Sequence, residues 1–350
     1  MRILVTGAGG FLGGALAEAL VSRGHRVRGF SRGNYPRLEK SGIEQRRGNL
    51  ADSAAVEEAC RGCELVFHVA AKAGIWGDPA DFYRANVKGT ENILRGCRAA
   101  GVSRLVYTSS PSVVFDGSDM EGVDESVPYA DHFKAEYPKT KAIAEKLALS
   151  AAGGDFAVVA LRPHLIWGPR DTNLIPGILA RGRKGNLRRV GREDKLVDCT
   201  YIDNVVEAHL KASEYLHPGA PLSGRAYFIS QDEPIFLWDF IARVLECAGL
   251  PPIKGTVSPA VAYSAGAACE LVYRLLPALG EPPVTRFAAE ELATAHWFDN
   301  SAARRDFEYR PVVTMEEGFR RLTEWFKQLT IDDSPATGLS GGLPPPPAVR

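Results

Sequence analysis

The sequence predicts an α/β fold, a doubly wound parallel sheet with a smaller, mostly helical C-terminal cap. Three observations predict it. Short continuous apolar runs alternate with amphipathic helical stretches through the first half of the chain. A glycine-rich turn follows the first run, Ile3-Leu4-Val5-Thr6. After Gly168 the alternation gives way to proline, glycine and helical pattern.

Residues 3–6, 26–30, 65–69, 105–108 and 158–161 read as strands, and 226–229 as one further strand. Residues 12–22, 54–60, 87–100 and 140–151 read as the intervening helices. A nucleotide-binding domain is expected over 1–168, with 199–213 returning to it. A cap is expected over 169–331, and the tail 332–350, with its glycines and Pro344–Pro347, is expected to be disordered. No run reaches the ~18–20 apolar residues that span a bilayer, and no charged-then-apolar leader precedes the first strand. The reading is therefore of a cytoplasmic protein.

The 350 residues are 45% hydrophobic, enough for a large core. Lys plus Arg and Asp plus Glu both total 42, so the chain carries no electrostatic footprint for nucleic acid. Six scattered cysteines fit a reducing compartment. Cys60 and Cys63 form a C-x-x-C, but no second Cys or His pair stands at ligand spacing, so no metal site is expected.

Gly7, Gly10 and Gly13 form G-x-x-G-x-x-G between the first strand and the helix that opens with Phe11-Leu12. Such a loop lets backbone N–H groups approach a pyrophosphate, and the helix N-terminus adds a favourable partial charge. Together with the strand–helix alternation this is a Rossmann-type signature. The second strand ends in Ser31-Arg32, where an NAD enzyme would carry an acid for the ribose 2′-hydroxyl. A hydroxyl and a guanidinium suit a 2′-phosphate, which favours NADP(H) over NAD(H).

Tyr137-Pro138-Lys139-Thr140-Lys141 puts a phenol and an ammonium four residues apart, on one helix face. A free tyrosine titrates near ~10, and a fixed cation close by is expected to lower that value and make it a usable acid/base. Upstream, Tyr107-Thr108-Ser109-Ser110 ends a strand at the edge where open α/β sheets bind ligands.

Read with Leu161-Arg162-Pro163 and Trp167-Gly168-Pro169, these motifs resemble the extended short-chain dehydrogenase/reductases over roughly residues 1–330. The resemblance implies that Tyr137 is the acid/base, that Lys141 binds the nicotinamide ribose and tunes Tyr137, and that Ser110, with Ser109 beside it, positions the substrate oxygen. It implies a cofactor trough lined by Ala70, Ala71, Lys72 and Asn86, with Thr108 and Pro163 at the strand ends. Asn49-Leu50 would lie near the adenine, where the family more often has Asp-Leu.

The stretch Val197-Asp198-Cys199-Thr200-Tyr201-Ile202-Asp203-Asn204 departs from sugar-nucleotide epimerases, because Val197 stands where their phosphate-binding arginine would be. Tyr201-Ile202-Asp203-Asn204 instead resembles the 3β-hydroxysteroid dehydrogenase branch. Residues 70–77, 107–113 and 161–169 are most similar to its bacterial reductases of 2-alkyl-3-oxoalkanoates. The implied activity is NADPH-dependent reduction of the 3-oxo group of a bulky β-keto acid. The alternatives are oxidation of a sterol or sterol 4-carboxylate at C3, then a sugar epimerase, then a non-catalytic nucleotide sensor.

The apolar stretch 259–279 suits a lid over a hydrophobic small-molecule substrate, and an ordinary core helix is its competing reading. The partner expectations are a membrane surface or lipid-pathway enzyme at that stretch, a homodimer, and no nucleic acid. Arg181, Arg183, Lys184, Arg188 and Arg189 read as a solvated face rather than an anion site, and His68 and His164 as packed histidines.

Overall fold

A computed structural model of the chain describes residues 1–332. Seven parallel strands form the main sheet: β1 (Arg2–Thr6), β2 (Arg26–Ser31), β3 (Glu44–Arg47), β4 (Leu65–His68), β5 (Arg104–Thr108), β6 (Ala157–Pro163) and β7 (Arg225–Ile229), in the order β3-β2-β1-β4-β5-β6-β7. Winding reverses between β1 and β4, which places a crevice at the carboxyl ends of those strands.

Alternation along the strands explains the two layers. Ile3 and Val5 of β1 face one core with Phe67, Val106, Val159 and Tyr227, while Leu4 faces the other with Val66, Leu105, Tyr107 and Val158. Helix Phe11–Ser22 covers the first face and packs against helix Ile202–Tyr215. Helices Ser53–Cys60, Gly89–Ala100 and Glu136–Ser150 cover the second. Burial on both faces is why the central strands are apolar runs rather than alternating ones.

The edge strand β3, Glu-Gln-Arg-Arg, escapes sequence reading because it is mostly exposed and pairs on one side only. β7 lies far along the chain yet completes this sheet beside β6.

The cap is not purely helical. Strands Met120–Val123, Leu196–Val197, Ile235–Phe236 and His296–Phe298 form a four-stranded mixed sheet, and Arg189–Val190 pairs with Thr256–Val257. Pieces of two to four residues carry too little periodicity to be seen beforehand.

Helix Pro259–Leu275 docks through a narrow seam of Ala262, Gly266 and Glu270. A Cβ on Gly266 would sit 2.6 Å from the backbone of Thr285, so only glycine allows the approach. Glu270 accepts from Arg286 N at 2.7 Å and Nε at 2.9 Å. The large apolar side chains point outward: Val261 is 58% exposed, Leu271 61% and Leu275 71%. The ordinary-core reading of this segment is thereby excluded.

Among the described residues no helix is long and apolar enough to cross a membrane. The tail expected to be disordered lies, beyond Asp332, outside the described residues. All six cysteines are free, and burial pushes the Cys63 thiol up to about 11, so the C-x-x-C is packing material.

Candidate active site

The glycine loop is built by steric necessity. Gly7 has φ +70°, and a Cβ there would lie 2.9 Å from Ala70 Cα. A Cβ on Gly13 would lie 2.2 Å from the Gly7 carbonyl oxygen. These approaches press the loop onto β4 and seat helix Phe11–Ser22 against it. Gly10 caps that helix with no side-chain cap, and no acid stands in its first turn. Its first N–H groups, those of Phe11, Leu12 and Gly13, are left for an anion.

Ser31 accepts from Gly9 N at 2.9 Å, tying the end of β2 to the loop. Arg32 follows it, exposed, and its guanidinium has no hydrogen-bond or ion-pair partner among the described residues. Arg47 of β3 stands opposite Ser31 and donates Nε to the Arg32 carbonyl at 2.9 Å. Sequence reading missed Arg47; its signal was a second arginine just before Gly48, hidden in a strand that was not seen. These residues fit a dinucleotide with a 2′-phosphate.

The trough loop is clamped by Asn86. Its Oδ1 accepts from Lys72 N at 2.7 Å, and its Nδ2 donates to Lys72 O at 3.1 Å and Thr140 Oγ1 at 3.0 Å. One side chain thus ties residues 70–72 to the helix that carries Tyr137. Asn86 sits in a π-helical turn, Tyr83–Lys88, an arrangement that concentrates at functional sites. The Asn49 carboxamide oxygen closes a local turn onto Ala51 N at 3.0 Å, and the Leu50 carbonyl accepts from Asn92 Nδ2 at 2.7 Å.

Helix Glu136–Ser150 presents Tyr137, Lys141 and Glu145 at successive i+4 positions. The Lys141 Nζ donates to the Thr108 carbonyl at 2.6 Å and lies 4.3 Å from the Tyr107 ring centroid. Burial pushes its ammonium down to about 7, against the upward pull of Glu145. Thr108 contributes its carbonyl to the site. Its hydroxyl is 2.8 Å from His209 Nε2, on the opposite face of the sheet. Pro163 closes β6, buried, beside these strand ends.

Ser110 is 2.9 Å from Ser112 Oγ and hydrogen-bonds the Tyr137 phenol. Tyr137 differs from the expectation that a nearby cation would lower its pKa. Burial holds the phenol above its ordinary value; the Ser110 bond opposes this, and the charge of Glu291 adds to it. Loss of water sets the direction, and the group stands as a neutral acid.

Beneath this row lies a group that sequence reading did not single out. Arg162 of β6 donates to Glu145 through Nε at 3.0 Å and Nη2 at 2.6 Å, and the Tyr129 hydroxyl donates to the same carboxylate at 2.6 Å. Both charged side chains are buried, and the pair holds Glu145 below the usual carboxylate range.

Other expectations resolve simply. Val197 is fully buried in the small sheet, so it meets no phosphate. Arg181, Arg183, Lys184 and Arg188 are exposed and Arg189 half-buried, bonded to nearby carbonyls or to Asp194 where they are bonded at all. His68 is packed between Thr6 Oγ1 at 2.8 Å and Thr90 Oγ1 at 3.0 Å.

Comparison with known proteins gives the family. Residues 4–258 match the 3-beta hydroxysteroid dehydrogenase/isomerase family. The chain is 50% identical to a 2-alkyl-3-oxoalkanoate reductase of Stenotrophomonas maltophilia, covering 92% of this chain and 98% of the relative. It is 49% identical to the enzyme of the same name from Shewanella oneidensis, covering 91% and 84%. A mouse sterol-4-alpha-carboxylate 3-dehydrogenase, decarboxylating, is 34% identical over 95% of this chain and 92% of its own. Among solved structures, gox2253 superposes with a TM-score of 0.75 at 27% identity, covering 93% of this chain and 98% of that one. The chain therefore belongs to the 3-beta hydroxysteroid dehydrogenase/isomerase family and is an NAD(P)-dependent oxidoreductase of the extended short-chain dehydrogenase/reductase fold.

Proposed function

We propose that the chain reduces the 3-oxo group of a bulky 2-alkyl-3-oxo acid at the expense of NADPH. The observation that carries the substrate class is the near-50% identity to 2-alkyl-3-oxoalkanoate reductases across nucleotide half and cap alike. When bound, the reduced nicotinamide supplies a hydride to the carbonyl carbon. The chain's own part is to hold and protonate. Ser110 fixes the carbonyl oxygen beside the Tyr137 hydroxyl, and Tyr137, kept neutral by burial, delivers its proton to that oxygen as negative charge develops. Lys141 stands one turn behind, at the junction with β5. Consumption of NADPH by a long-chain 2-alkyl-3-oxo acid, with no activity on a sterol 4-carboxylate, supports this reading; the reverse preference refutes it.

The choice of NADPH rests on Ser31, Arg32 and Arg47. Arg32→Ala is expected to weaken NADPH by about 1.5–3 kcal/mol, the range for hydrogen bonds to charged groups, and to leave NADH nearly unchanged. Cofactor titrations monitored by fluorescence check this. Equal affinity of the wild type for both cofactors contradicts it.

The outward face of helix Pro259–Leu275 is read as the contact with a membrane surface or lipid-handling enzyme, at the edge of a cytoplasmic protein. Each CH₂ transferred from water contributes ~0.8 kcal/mol. Replacing Leu271 and Leu275 by Ser is therefore expected to raise KM steeply for a long-chain substrate presented in vesicles. A short soluble 3-oxo acid should be little affected. Both leucines are mostly exposed, so the melting temperature stays unchanged. Equal losses on the two substrates refute the contact.

A further inference from the structure

His164 of the main sheet meets two cap residues five positions apart, Glu291 and His296, at the edge of the candidate active site. His164 follows β6, Glu291 ends helix Arg286–Glu291, and His296 opens strand His296–Phe298. One donor atom from each lies within 4.8 Å of the other two. His164 and His296 are 7% and 1% exposed, with ring planes crossed at 79° and centroids 5.7 Å apart. The cluster is close enough to Tyr137 for the Glu291 charge to be felt by the phenol.

The hydrogen bonds fix both tautomers. His164 Nδ1 is 2.7 Å from the Asp198 carbonyl, which can only accept, so the proton sits on Nδ1 and Nε2 carries a lone pair. Thr294 donates its hydroxyl hydrogen to the Glu290 carbonyl at 2.8 Å. Its oxygen therefore accepts from His296 Nε2, at 2.8 Å, and Nδ1 of that ring is left with the lone pair. The two free nitrogens and the Glu291 carboxylate have no hydrogen-bond partner among the described residues. Two imidazole lone pairs thus converge with the Glu291 carboxyl, which burial pushes up to about 7.

We propose that His164, Glu291 and His296 form a binding site for a divalent first-row transition ion. Neutral imidazole and carboxylate are suitable donors for zinc, cobalt or ferrous iron. The outer bonds are those that metal-ligating histidines make: His164 to a backbone carbonyl, His296 to a hydroxyl itself anchored on a carbonyl. Binding draws the donors in to bonds of about 2.0–2.2 Å. Glu291, half-buried at a helix end, has room to make that movement. Three protein ligands leave the fourth position of a tetrahedral ion open to water or an anion. Spacing in the sequence could not show the site, since its ligands come from a strand end, a helix end and a short cap strand.

The test is titration of chelator-treated protein with Co²⁺, read by visible absorption, followed by displacement with Zn²⁺. The expected result is one Co²⁺ per chain, lost in the His164→Ala/His296→Ala double variant. Thr294→Val keeps all three donors but removes the acceptor that orients His296, and is expected to weaken Co²⁺ by about 10–100-fold. Absence of stoichiometric binding in the wild type overturns the proposal, as does binding that survives in the double variant. If the double variant does not fold, affinity unchanged in both Thr294→Val and Glu291→Gln overturns it. Neither readout uses the ketone substrate, so the outcome is independent of the proposed reaction.

Discussion

Tyr137→Phe is expected to lower kcat by about 10²–10⁴-fold, the usual contribution of a positioned proton donor, while leaving NADPH affinity nearly intact. The substitution keeps the ring that fills the site and removes only the hydroxyl bonded to Ser110. Burial holds that hydroxyl above its ordinary value, so it is protonated at neutral pH and ready to give its proton to a forming alkoxide. Single-turnover measurement with saturating NADPH isolates the step. A variant that keeps more than about a tenth of wild-type kcat removes Tyr137 from the proton-donor role.

Glu145→Gln is expected to cost about 3–5 kcal/mol in urea unfolding at neutral pH, because it strands the buried Arg162 without its counter-charge. Replacing both partners, Glu145→Leu with Arg162→Met, is expected to recover most of that loss. Glu145 titrates below its ordinary 4.5 in the folded chain. Its contribution is therefore complete above that value and is lost as the pH falls through the lower folded value. Wild type and variant should converge in acid and diverge above it. The same change has a catalytic signature. Glu145 is the group that pulls Lys141 upward, so its removal lets the Lys141 pKa fall further below about 7. The alkaline limb of cofactor binding should then move to lower pH. A purely structural role for Glu145 predicts lost stability with that limb unmoved.

What was legible in the sequence is what local physics writes into it. The strands of the main sheet that are buried on both faces appear as continuous apolar runs, and Gly7 and Gly13 are glycines because backbone stands 2.2–2.9 Å from where a Cβ would be. Tyr137 and Lys141 share a helix turn, so their spacing alone puts them together. What stayed hidden depends on tertiary neighbours. Arg47 lies on an edge strand whose polar sequence reads as loop, and it reaches the end of β2 only through its register with Ser31. Arg162 looked like part of a proline-terminated strand motif, yet its work is to neutralise Glu145. The upward shift of Tyr137 was likewise invisible, since spacing reports the lysine next to it but not the loss of water around it. The helix Pro259–Leu275 was recognisable as apolar, but which face docks was decided by Gly266 against Thr285.

The most direct test of the account supplies NADPH deuterated at the nicotinamide C4 together with a long-chain 2-alkyl-3-oxo acid, and examines the product by mass spectrometry. The expected product is a 2-alkyl-3-hydroxy acid carrying deuterium at C3, with one NADPH consumed per product and no labelled product from Tyr137→Phe. Consumption of NADPH without label at C3, or no turnover of any 3-oxo acid alongside ready oxidation of a sterol, would contradict it.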